Sequence, residues 1–241
     1  MKTSRRGFLK SSAAVAGGLV IGFHLPEGTR RAFAQAPQRP PVPPNAFLRI
    51  GKDGSVTVMV KHLEFGQGVT TSLPMIVAEE LECDWTKVRY ALAPAAPEYA
   101  HTIFGMQMTG GSSSVVNSWM QLRTVGAQAR TMLMQAAADQ WKVNVSQVRA
   151  ENGAIVGPSG QRATYGQLAD AAAKLPVPAN VTLKDAASFK VIGKPTRRID
   201  SPEKTDGSAV FGLDMKRKDV ERTQAYGACR VTEYGEPSTA E

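Results

Sequence analysis

Apolar residues recur at three- and four-residue steps through Trp119, Leu122, Val125, Ala129, Met132, Leu133 and Ala136. That spacing marks an amphipathic helix with one buried stripe, and Arg123, Gln128, Arg130 and Gln135 are expected on its other faces. At roughly 25 residues the helix would be about 37 Å long. A rod of that length commits the chain to a second layer that covers its stripe.

The flanking segments supply candidates for that layer. Residues 47–50 and 56–60 read as two strands joined by a turn at Asp53-Gly54, a hairpin signal. Residues 69–82 read as a helix with Pro74 near its first turn, where proline is tolerated. Residues 88–92 return as a strand, and 93–108 are irregular. Residues 148–156 contain Asn152-Gly153, a second hairpin turn, and 164–174 form a short helix with Thr164 as N-cap. Short strands are expected at 189–192 and 209–213. The order β-β-α-β-α-β-β-α indicates an α+β fold with small mixed sheets and one long amphipathic helix.

The N-terminus carries a different message. Ser4-Arg5-Arg6-Gly7-Phe8-Leu9-Lys10 matches a twin-arginine export signal. The apolar stretch at 13–23 is too short for a stable membrane span. Ala32-Phe33-Ala34 offers a signal-peptidase site, so cleavage is expected after Ala34, with delivery to the periplasm. The expected organisation is therefore a signal at 1–34, a proline-rich linker at 35–45 and a principal domain at 46–200.

Net charge is +8, but residues 1–34 hold six cations against Glu27, leaving about +3 beyond them. That balance gives no support for nucleic acid as a partner. With only Cys83 and Cys229, the chain is too cysteine-poor for an iron–sulfur cluster or a cysteine-rich zinc site. His62 and His101 have no third partner at metal-ligand spacing, so both are read as structural and no metal ligands are assigned.

Two glycine-bearing segments each stand just ahead of a helix: Glu64-Phe65-Gly66-Gln67-Gly68, and Thr109-Gly110-Gly111-Ser112-Ser113-Ser114. Glycine lets a backbone approach a ligand or adopt positive φ. A helix N-terminus presents unpaired N–H groups to an anion. The serine and threonine hydroxyls add donors, and the Gln67 amide can both donate and accept. Together the two segments have the makings of a grip on a phosphorylated, heteroatom-rich cofactor. Neither matches a phosphate-binding loop with a lysine or a dinucleotide fingerprint.

As an ordered set, these segments resemble the large subunit of molybdenum hydroxylases in the xanthine dehydrogenase/aldehyde oxidase superfamily, nearest to the β subunits of isoquinoline 1-oxidoreductases. The likeness is carried by Glu64 to Gly68, Ala78-Glu79-Glu80-Leu81, Gly110 to Ser114 and Trp119-Met120-Gln121-Leu122-Arg123. It continues through residues 148–156, Ile192-Gly193-Lys194-Pro195 and 207–214. It implies a molybdopterin-binding-type module and a molybdopterin cytosine dinucleotide, with the metal held by the pterin dithiolene. Gly66, Gln67 and Gly68 would contact the pterin or its phosphates. Gly110, Gly111, Ser112, Ser113 and Ser114 would line the other side. The implied partners are a small [2Fe–2S] subunit and a cytochrome or other electron acceptor, and the implied substrates are N-heterocycles or aldehydes, with water as the oxygen source.

The resemblance runs from about residue 46 to 220 and then stops. Family members are much longer, and their general-base glutamate lies near their C-terminus, so no catalytic residue is assigned here. Glu236, in Tyr234-Gly235-Glu236-Pro237, stands in the wrong context for that role. Residues 201–220 are expected to begin a second, hammerhead-like domain that is cut short. Residues 221–241 depart from the family pattern as an aberrant tail, and such a fragment is expected to be inactive alone. The alternative is a non-catalytic periplasmic binding or assembly module without metal.

Overall fold

A computed structural model of the chain describes residues 18–21 and 47–210. They fall in two compact units, one ending at Arg198 and one beginning at Ile199. In the first unit, β1 (Gly18–Ile21), β2 (Leu48–Gly51), β3 (Val56–Val60) and β4 (Val88–Leu92) form a four-stranded mixed sheet. The pairs β1–β2 and β2–β3 are antiparallel, and β3–β4 is parallel. Helix α1 (Val69–Leu81) makes the crossover between the parallel strands, and the long helix α2 (Ser114–Trp141) packs along it. A three-stranded antiparallel sheet follows, β5 (Arg149–Glu151), β6 (Ala154–Val156) and β7 (Arg162–Thr164), and leads into α3 (Tyr165–Ala172). The second unit contributes α4 (Ser201–Thr205).

The α+β architecture expected from the sequence is present. The β2–β3 hairpin turns where Asp53-Gly54 predicts, with Gly54 at φ +80° and the Asp53 carboxylate accepting from the Ser55 N–H. Helix α2 starts at Ser114 and runs 28 residues. Its predicted stripe is buried at Leu122, Val125, Ala129, Met132, Leu133 and Ala136. Trp119 is only half-buried, and Gln128, expected on an outer face, is buried and donates to the Pro178 carbonyl. Thr164 caps α3 through a reciprocal capping box with Gln167.

Three expectations change. Pro74 stands in the second turn of α1, one turn deeper than expected. Strands β1 and β7 both stand outside the predicted order. Residues 189–192 form no strand, because the Glu79 carboxylate accepts the N–H groups of Lys190, Val191 and Ile192 at 2.7–3.0 Å. Donors committed to one carboxylate leave none for a sheet ladder. Of the strand expected at 209–213, only Ala209 and Val210 are described, and neither is in a strand. Residues 35–45 and 211–241, with Cys229, lie outside the described residues. So does most of 1–34, except that Gly18–Ile21, within the expected signal, pairs with β2.

The core lies between the mixed sheet and the helices. Strand β3, with Val56, Val58 and Val60 buried, packs on α1, whose Leu73, Ile76, Val77 and Leu81 are buried; β2, with Leu48 and Ile50 buried, packs on α3; and α1 lies along the long helix α2. Tyr165 and Leu168 of α3 are fully buried. The two helices approach closely at Gly126, where an added Cβ would lie 2.7 Å from the Val77 carbonyl oxygen and 2.8 Å from the Glu80 Cβ. Close helix packing of this kind needs a residue without a side chain at the crossing.

Candidate active site at the paired glycine loops

Strand β3 delivers Lys61 and His62 to the sheet's end, and the chain then turns through the first glycine loop into α1. The second loop enters α2. The structure brings the two loops together: the Leu63 N–H donates to Thr109 Oγ1 at 2.7 Å, and His62 Nδ1 donates to the Met108 carbonyl at 3.0 Å. The sequence points both glycine segments toward one ligand, and the direct bond between them is visible only in the structure.

Gly66, Gln67 and Gly68 form a loop stitched to itself. Gln67 Oε1 accepts from the Phe65 N–H at 2.7 Å, and its Nε2 donates to the Leu63 carbonyl at 2.6 Å. Glu64 Oε1 accepts from the Gly66 and Gly68 N–H groups, and Oε2 accepts from the Thr70 N–H and hydroxyl, all at 2.8–3.1 Å. Arg198 closes the arrangement, donating to Glu64 Oε1 at 3.1 Å and to the Gly66 carbonyl at 3.0 Å. Partial burial pushes the Glu64 carboxyl up, but the N–H donors of Gly68, Thr70 and Gly66 outweigh it and hold it down to about 2.

The second loop is built differently. Gly111 and Ser112 both have left-handed backbone, at φ +60° and +53°. For Ser112 this is a conformation of some cost, of the sort found at functional loops. Ser113 is the N-cap of α2 but makes no side-chain cap bond. Its hydroxyl donates to the Gly110 carbonyl at 2.8 Å and accepts from His101 Nε2 at 2.9 Å. No acidic residue stands in the first turn of α2. Gly111 and Ser112 are exposed, whereas Gly110, Ser113 and Ser114 are half-buried.

Behind the loops lies a polar cluster that sequence reasoning missed. Lys61, His62 and His101 are buried, and Lys61 Nζ donates to Gln121 of α2 at 2.7 Å. The two imidazole rings stand 6.0 Å apart, edge to face. The His101 Nδ1 accepts from the Ile103 N–H, which places its proton on Nε2. His62 has the opposite tautomer, with its Nε2 lone pair buried and without a protein partner. Burial lowers both imidazoles, reinforced at each by the Lys61 charge, and takes His62 to about 4. Burial also brings Lys61 down to about 8. Two histidines set far apart in the chain gave no hint of this pairing. Among the described residues, no group of three or more His, Cys, Asp or Glu is arranged to hold a metal ion.

Large apolar side chains stand exposed around the loops: Leu63, Phe65, Ile103, Phe104, Met106 and Val116. Between Glu98 and Arg123 there is no charged residue. That uncharged stretch was a readable signal for a covered or ligand-facing surface.

A family model described as a molybdopterin cofactor-binding domain matches residues 15–234. The chain is 31% identical to the beta chain of an isoquinoline 1-oxidoreductase of Brevundimonas diminuta, over 90% of this chain and 32% of that protein. It is 31% identical to a protein of Gluconacetobacter polyoxogenes named membrane-bound aldehyde dehydrogenase (pyrroloquinoline-quinone), over 88% of this chain and 28% of that one. It is 28% identical to a nicotinate dehydrogenase subunit of Pseudomonas putida, over 70% of this chain and 14% of that one. The chain thus spans about a third or less of the length of these relatives.

Proposed function

The chain belongs to the molybdopterin cofactor-binding domain family, and we propose that it forms part of the cofactor pocket in the large subunit of a molybdenum hydroxylase. The observation that carries this reading is the joining of the two glycine loops through Leu63 and Thr109. The loops present the exposed edge of Gln67 and the uncapped start of α2 beside one another. The residues present fit a flat, heteroatom-rich and anionic group. The start of α2 is free of acidic side chains, and apolar side chains flank both loops.

In this reading Gly66, Gln67 and Gly68 face the pterin, and Gly110, Gly111, Ser112, Ser113 and Ser114 line the opposite side. The form proposed is the cytosine dinucleotide. The bound group would supply hydroxylation of an N-heterocycle or aldehyde, with oxygen from water and two electrons released. This chain's residues would bind and orient it: Gln67 through its fixed carboxamide, and the second loop through hydroxyl and backbone donors. A small [2Fe–2S] subunit would take the electrons onward to a cytochrome or other acceptor. The twin-arginine motif supports assembly in the cytoplasm and export to the periplasm, with cleavage after Ala34.

The test is metal and pterin analysis of the full chain co-expressed with its neighbouring reading frames. Molybdenum and pterin fluorescence in the purified complex are expected, with loss of a large part of both in Gln67→Ala. Protein that carries neither would point instead to a non-catalytic binding or assembly module.

A further inference from the structure

The first glycine loop has the form of an anion seat, yet the protein has filled it from within. The N-terminal N–H groups of a helix attract an anion because they lack intrahelical partners and carry the positive end of the helix dipole. At α1, the nearby N–H groups of Gly66, Gly68 and Thr70 converge on one carboxylate, that of Glu64, together with the Thr70 hydroxyl. The Glu64 side chain is 9% exposed, and its ion pair with Arg198 reaches it from a residue 134 positions away. The same guanidinium holds the Gly66 carbonyl. A phosphate could enter here only by displacing a carboxylate that already satisfies the donors and balances the cation.

We propose that Glu64 is the resident anion of the α1 N-terminus and, with Arg198, a positioning pair that sets the Gly66-Gln67-Gly68 loop and keeps phosphate out of it. Carboxylate and phosphate compete for the same donors, so one excludes the other. The consequence for the cofactor rests on the reading above: its phosphates are left to the second loop, whose helix start has no acidic side chain, and the first loop meets a non-phosphate part. The exclusion itself is a property of this chain with or without cofactor.

The experiment is a titration of the cofactor-free full chain with inorganic phosphate, following the backbone amides of Gly66, Gly68 and Thr70 by ¹H–¹⁵N NMR. Wild type is expected to show no saturable shift at these amides. Glu64→Ala is expected to gain one, and Glu64→Gln, which keeps the shape and removes the charge, a weaker one. A saturable wild-type response at these amides overturns the proposal, as does a folded Glu64→Ala protein that fails to respond. If neither variant folds, the wild-type Glu64 carboxyl carbon decides. Ionisation that persists to about pH 2 supports the resident anion, and titration in the ordinary glutamate range overturns it. Because none of these readouts needs molybdenum, a missing cofactor would fail the functional reading and leave this one standing.

Discussion

At the level of single residues, the sequence displayed the glycines and hid what surrounds them. Gly66 and Gly68 were legible because positive φ before a helix favours glycine, and both adopt it. Glu64 stood in the same motif, but its role depends on three N–H groups folding back upon it, and spacing alone does not reveal that. His62 and His101 were harder still, since their pairing is made by the second loop crossing to the first. Their environment has a measurable outcome. A depressed imidazole pKa means that the unfolded chain binds more protons than the native one once pH falls below about 6.5. The stabilising contribution is complete above that value and is lost as pH falls toward about 4 for His62. The expected slope for one such group is at most about 1.4 kcal/mol per pH unit. Urea unfolding at intervals between pH 7 and 5 should show stability falling, with a shallower fall in His62→Gln. A wild-type profile that is flat across this range would contradict a buried neutral His62.

Among the elements, helical periodicity served well where one face meets the core, as in α2, and the turn residues Asp53-Gly54 and Asn152-Gly153 located the β2–β3 and β5–β6 hairpins. Sequence pattern failed at residues 189–192, where side chains from another element decide the backbone's partners. Glu79 and Glu80, adjacent on α1, hold this later segment from two sides. Glu79 takes the Lys184 ammonium at 2.5 Å and the N–H groups of Lys190, Val191 and Ile192. Glu80, with no side-chain exposure, takes Arg123 at 2.6 Å, Arg130 and the Lys184 N–H. Glu80→Ala would leave two arginines of α2 without their buried counter-ion, a loss of about 3–5 kcal/mol in denaturant unfolding. A change under about 1 kcal/mol would show that the arginines find other partners and that the clamp adds little. The helix crossing gives a second test. Gly126→Ala raises helix propensity by about 1 kcal/mol, yet its methyl group would strike the Val77 backbone and the Glu80 Cβ. Neither atom is the loose end of a side chain, so overpacking should prevail with a net loss of about 1–3 kcal/mol. An equally stable or stabilised variant would mean that α1 and α2 slide apart without cost.

For the molecule as a whole, the paired loops sit among apolar side chains that the described chain leaves in water. Phe65 is 72% exposed and Val116 80%, on two segments held together through the Leu63–Thr109 bond. Charge is what normally keeps such a surface soluble, and residues 99–122 contain none. The expected behaviour of the isolated chain is therefore concentration-dependent association through this region. Salt distinguishes that cause from electrostatic attraction. Apolar association persists or strengthens in sulfate, whereas contact between exposed charges weakens as the Debye length falls to about 3 Å at 1 M salt. Sedimentation of the wild type in low and high sulfate, beside a Phe65→Ser/Val116→Ser double variant, separates the two. The double variant should shift toward monomer at both salt levels while the wild type stays associated, since two exposed serines remove apolar area without disturbing the core. A monomeric wild type, or association abolished by salt, would show that these side chains do not drive self-contact. Association lost in the double variant would place the contact at the loops proposed to take the cofactor, where a covering partner and a flat pterin would draw on the same apolar surface.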